Sequence, residues 1–167
     1  MGLDMHLLKE SIRGVNSRFV SEMVGGGVHT QGSGLRVSGE FANIADIDTD
    51  RVYSIMEEVG RWRNAYFLHE WIVNNANDGF DAGDRFRISF EVVKKLRDTI
   101  LSVTNGDVKP EDVLPLPGYE VELEGRTYDD QYYELLRYTF AITDEIVSRG
   151  DGSTNDVAFD YYYHANW

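Results

Sequence analysis

Residues 3–9 alternate weakly between apolar and polar side chains, which predicts a strand at the chain start. Gly25-Gly26-Gly27 and Gly32-Ser33-Gly34 interrupt the pattern and mark turns or a loop, with residues 18–24 and 35–41 as a candidate hairpin beside them. Residues 51–59 alternate again, with Tyr53, Ile55 and Val59 on one side and Val52, Ser54 and Met56 on the other. The first turns of a helix also fit this stretch, and Gly60, which separates the two periodicities, favours the strand.

From residue 61 to 77 the pattern is helical: Trp62, Ala65, Tyr66, His69, Ile72, Val73 and Ala76 gather on one face, which is the face to bury. Phe67, Leu68 and Trp71 form a second apolar surface on the same helix. Two explanations stand for it, a subunit contact or ligand wall, and a central helix covered on both sides within one chain. Asn77-Asp78-Gly79 ends the helix, residues 85–88 read as a short strand, and Ser89 is a candidate cap for a helix over 90–103. Pro110, Pro115, Pro117 and Gly118 oppose regular helix, and residues 119–127 read as a small extended excursion closed by Gly125, a place suited to function. Asp129 or Asp130 starts a helix running to about Ser148, Gly150-Asp151-Gly152 stops it, and the aromatic residues 157–163 read as a strand in the same sheet as the first segment. The expected fold is a single α+β domain over residues 1–167: a small, mainly antiparallel sheet, N-terminal and C-terminal strands included, packed with three helices.

Composition narrows the function. With 42% hydrophobic and 27% charged side chains the 167 residues suffice for one globule with a core. No apolar run reaches the roughly 18 residues of a membrane span, and Met1 to His6 lacks a basic stretch followed by an apolar run, so a cytoplasmic protein is expected. The absence of cysteine removes disulfides, thiolate nucleophiles and cysteine metal sites. A net charge of −13 opposes binding to a DNA or RNA duplex, which needs a dense cationic face. Yet the cations are twelve Arg against four Lys, and the arginine fork recognises phosphate or carboxylate bidentately.

Motifs for catalysis are missing. His6, His29, His69 and His164 have no metal-ligand spacing, and His69 lies on the predicted buried face. Asp46-Ile47-Asp48-Thr49-Asp50 imitates a calcium loop, but Arg51 replaces the glycine that the sixth position requires. There is no phosphate-binding glycine loop and no nucleophile elbow, so no metal, cofactor or catalytic residue is expected and binding is the better reading. The remaining feature is aromatic supply, ten Tyr, eight Phe and three Trp, several of them near arginines in sequence. Rings stack on nucleobases and guanidinium groups hold phosphates.

Met1-Gly2-Leu3-Asp4-Met5, the run Val59-Gly60-Arg61-Trp62-Arg63-Asn64-Ala65 followed by His69 and Trp71, and the tyrosine tail ending in Trp167 together resemble a family of small bacteriophage and prophage proteins. That family's pattern is similar to M-G-L-D-M-Y-L at the start, Y-W-R-K-A-N-x-I-H-x-W in the middle and Y-Y-x-x-x-W at the end. The likeness extends from residue 51 onward, through Leu114-Pro115, Gly118, Gly125 and Thr127-Tyr128-Asp129, and is poor over 10–50. His6, Arg61 and Asn64 stand where the family has Tyr, Tyr and Lys.

The resemblance implies an immune-evasion (anti-CBASS) sponge: a homo-oligomer that sequesters a cyclic dinucleotide such as cyclic GMP-AMP in the cytoplasm of the infected host without cleaving it. Its implied ligand-binding residues are Trp62, Arg63, His69 and Trp71, then Arg126, Thr127 and Tyr128 from the loop, with Tyr163 and Trp167 closing the site. Two other functions compete. His69 and the many carboxylates allow a phosphodiesterase acting on the same signal, and the acidic surface allows a host-takeover adaptor that binds a bacterial protein.

Overall fold

The computed structural model describes residues 2–13, 54–81, 83–150 and 157–166. Along the chain they form β1 (Asp4–Arg13), β2 (Ser54–Arg63), α1 (Tyr66–Ala76), β3 (Phe86–Ile88), α2 (Phe90–Thr104), α3 (Pro110–Val113), α4 (Gly118–Glu124), α5 (Asp130–Ser148) and β4 (Val157–Asn166). The four strands make one antiparallel sheet in the order β2-β1-β4-β3, and with the helices this is a small α+β fold. The first and last strands share the sheet, as expected, and they are direct neighbours, β1 lying against the whole of β4. The candidate hairpin over 18–24 and 35–41 and the calcium-like loop at 46–51 lie outside the described residues.

Period-two burial explains the sheet. Leu3, just before β1, and Met5 and Leu7 on it are buried, as are Tyr161, Tyr163 and Ala165 on β4 and Gly60 and Trp62 on β2. The residues between them, His6, Leu8, Tyr162 and His164, are half-buried, and Arg61 and Arg63 are exposed. A bulge disturbs the β1–β2 ladder, Leu7 pairing with Gly60 and Leu8 with Glu58. The extra residue, Val59, returns Glu58 to the outer face, where its Oε2 lies 2.6 Å from His6 Nδ1. Gly60 is needed for close approach, since a Cβ there would come within 2.7 Å of the Trp62 indole and 3.1 Å of Ile142 Cδ1.

The helix expected from residue 61 begins at Tyr66 instead, a correction with a clear cause. Arg61, Trp62 and Arg63 alternate out, in, out along the ladder to β1, so they complete β2. Asn64 then breaks the strand with φ of 54°. It is held by two bonds to the chain start: its N–H donates to the Leu3 carbonyl at 2.8 Å, and its Oδ1 accepts from Leu3 N–H at 3.0 Å. The second apolar surface of α1 is covered within the chain, with Phe67, Leu68 and Trp71 buried alongside Ile72 and Val73.

The caps fall as read. Ser89 Oγ accepts from Val92 N–H at 3.3 Å to start α2, and Asp129 Oδ1 accepts from Tyr132 N–H at 3.0 Å to start α5. The excursion expected over 119–127 is a second correction, because Gly118–Glu124 is helical. Pro117 enters it with φ of −54°, and Gly125, in the left-handed region at 64°, closes it. The prolines therefore start short helices here, Pro110 standing in the first turn of α3. Tyr132 Oη donates to the Leu114 carbonyl at 2.9 Å and Tyr128 Oη accepts from Leu116 N–H at 3.2 Å, fixing the proline-bearing loop against α5.

Candidate functional site

The sequence elements that converge outside the core are the end of β2, the turn after it, the segment following α4 and the first half of α5. Arg63, Asn64 and Arg126 line a hollow of about 460 Å³ whose other wall is Gln131, Glu134, Leu135 and Tyr138 of α5. That volume lies within the range of small-molecule sites. The α5 residues sit at i, i+3, i+4 and i+7, the spacing that puts them on one stripe of the helix. Tyr138 is 46% exposed, yet it is placed by Trp62, whose ring meets it edge-on at 6.1 Å. Trp62 is in turn fixed to α5 by a 2.8 Å bond from its Nε1 to Thr139 Oγ1.

Two arginines supply the charge. Arg126 lies 3.4 Å from Glu120 Oε1, and its N–H donates to the Glu120 carbonyl at 3.1 Å, so the fully buried carboxylate of α4 anchors the segment that carries it. Arg63 is exposed, and its guanidinium runs past Gly2, where a Cβ would approach Arg63 Nε to 3.6 Å and Asn64 Oδ1 to 3.0 Å. Gly2-Leu3 and Arg63-Asn64, far apart in sequence, thus form one physical unit. In a chain of net charge −13 the hollow gathers two guanidinium groups and, on its α5 wall, one carboxylate. It is suited to an anion with a polar, planar body.

The other residues assigned by resemblance are placed differently. His69 and Tyr163 meet in the core: His69 Nδ1 lies 2.8 Å from Tyr163 Oη and its Nε2 3.1 Å from Asp81 Oδ2. Tyr163 is fully buried and His69 is 5% exposed. Trp62 belongs to the hollow only through Tyr138. Trp71 is buried on α1 with the Lys95 ammonium 5.9 Å above its ring, Thr127 is exposed, and Tyr128 supports the loop at Leu116. Trp167 lies outside the described residues. Of the nine, the structure brings Arg63 and Arg126 together at the hollow. Asn64, Gln131, Glu134, Leu135 and Tyr138 are not among the residues assigned from sequence, and the α5 members show there only the i, i+3, i+4, i+7 spacing, which does not set them apart from any other helix face.

Burial pushes the phenols of Tyr163 and Tyr132 well above their ordinary value, assisted by the Asp81 charge at Tyr163 and by Tyr128, Tyr133 and Glu111 at Tyr132. Both stay protonated in the folded chain above pH about 10, where an unfolded phenol ionises. Above that pH the unfolded state therefore binds fewer protons than the native one. Their contribution is complete below pH about 10 and is lost as the pH rises toward the folded values. We expect the melting temperature to fall steeply above pH about 10, with the tyrosinate absorbance of these two buried phenols appearing together with loss of helical circular dichroism. Tyrosinate from all ten tyrosines forming gradually before unfolding would contradict this.

Among the described residues, no three His, Cys, Asp or Glu side chains cluster to hold a metal, and no helix is long and apolar enough to cross a membrane. No protein-family profile, no curated protein and no solved structure matches this chain.

Proposed function

We propose that this chain binds a small phosphate-bearing nucleotide in the hollow between β2 and α5, and that it acts as a phage immune-evasion sponge. On this reading it sequesters a cyclic dinucleotide such as cyclic GMP-AMP, as a homo-oligomer in the infected host cytoplasm. The observation that carries it is the meeting of Arg63 and Arg126 beside the ring of Tyr138. Two forks for phosphate and one ring for a base are the minimum kit for such a ligand. The sponge role comes from the family resemblance of the Gly2-Leu3-Asp4-Met5, Trp62-Arg63 and tyrosine-tail motifs.

Binding without cleavage fits the state of His69, the histidine nearest to a catalytic role in the sequence. It is buried and engaged with Tyr163 and Asp81, away from the hollow's lining. Calorimetry against cyclic dinucleotides and cyclic ADP-ribose isomers is expected to find a ligand with Kd below about 10 μM, recovered intact when the complex is heat-denatured. Absence of binding across the set overturns the proposal. Recovery of a hydrolysed ligand points instead to a phosphodiesterase, and light scattering tests the assembly.

A further inference from the structure

Glu134 is out of place in a site for an anion. A carboxylate near a phosphate weakens binding by repulsion, unless the ligand presents donors for it to accept. Among the described residues Glu134 makes no hydrogen bond or ion pair, although Arg63 and Arg126 line the same hollow. Its neighbours on the α5 stripe are the half-buried Leu135 and, one turn on, Tyr138. Tyr138 is held by the edge-on Trp62 ring and by Arg61 N–H, which lies 3.5 Å from its hydroxyl. A planar base laid against Tyr138 and Leu135 has its edge within reach of a carboxylate one turn back, because i and i+4 side chains are neighbours.

Resting on the nucleotide reading above, we infer that Glu134 reads the base, so that the hollow prefers guanine to adenine. An ionised carboxylate only accepts hydrogen bonds. Guanine presents N1–H and the N2 amino group side by side, spaced to meet both carboxylate oxygens. Adenine presents its N6 amino group next to the N1 acceptor, so one carboxylate oxygen would face a lone pair. Arg63 and Arg126, which only donate, are left for the phosphates.

The test is calorimetry with GMP, IMP and AMP, and with cyclic di-GMP and cyclic di-AMP, on the wild-type chain and Glu134→Gln. Guanine ligands are expected to bind about tenfold or more tighter than their adenine counterparts, with IMP, which keeps N1–H and lacks the N2 amino group, between them. Glu134→Gln, a change at an exposed helix position, is expected to leave the melting temperature unchanged and to bring the guanine-to-adenine ratio close to one. Equal affinity of wild type for the two bases, or a ratio that survives in Glu134→Gln, overturns the inference and leaves the nucleotide reading standing. If no nucleotide binds at all, the reading itself falls and the inference with it.

Discussion

Tyr163→Ala is expected to remove about 3–5 kcal/mol of stability and to lower the melting temperature by roughly 6–20 °C. Tyr163 is fully buried in β4, paired with Leu7 of β1 on one side and Phe86 of β3 on the other. Its ring packs on Phe86 at 5.3 Å and on His69 at 5.9 Å, so truncation opens a cavity at the junction of three strands and α1. Tyr163→Phe keeps that volume and deletes the hydroxyl that meets His69 Nδ1 at 2.8 Å. It is expected to cost less, about 1–3 kcal/mol, for a buried ring nitrogen deprived of its partner. The pair also separates packing from ligand contact. If Tyr163 closes the ligand site, as the resemblance implies, Tyr163→Phe weakens nucleotide binding; if its work is in the core, the phenylalanine variant binds as wild type does. A Tyr163→Ala chain that melts within about 2 °C of wild type would show that this junction is not the centre of the core.

The parts of the fold that were legible in the sequence are those with one dominant physical signal. Residues 157–163, aromatic-rich and extended in character, lie in β4, and Ser89 and Asp129 sit as caps because short side-chain acceptors before apolar runs have few other uses. The start of α1 is ambiguous in the sequence because Trp62 and Ala65 satisfy both periods: each is buried, one as the inward residue of a strand and the other at the helix entry. Only the ladder to β1 and the left-handed Asn64 decide between them, and neither is a local property. Pro117 and Gly125 likewise read as helix breakers until they are seen bounding α4.

The hollow was legible in part. Arg63 and Arg126 are named from sequence through the family resemblance, and their meeting depends on β1 pairing with β2 and on Glu120 anchoring the segment after α4. Gln131 and Glu134 carry no distinguishing signal, since a polar stripe on a helix is what any solvated face shows. His69 and Tyr163 illustrate the converse. A histidine and a tyrosine 94 positions apart look alike whether they touch a ligand or each other, and burial alone tells which.

The two arginines of the hollow are expected to fail in different ways. Arg63 is exposed and, among the described residues, makes no hydrogen bond or ion pair, so Arg63→Ala should weaken nucleotide binding by about 10- to 100-fold with the melting temperature unchanged. Arg126 also serves the fold. Its guanidinium lies 3.4 Å from a carboxylate with no exposed surface, and its own side chain is 27% exposed. Arg126→Ala therefore leaves the Glu120 charge buried without that partner, which is expected to cost about 2–4 kcal/mol, somewhat less than for a wholly buried pair. It should lose ligand binding as well. Arg126→Lys restores a charge but not the planar fork, so stability should recover further than affinity. Arg126→Ala combined with Glu120→Gln removes both charges and is expected to regain much of the stability while still failing to bind, which isolates the ligand role from the structural one. Calorimetry and thermal melts on these chains decide the matter: an Arg63→Ala protein with wild-type affinity would remove phosphate recognition from this hollow, whatever the behaviour of Arg126.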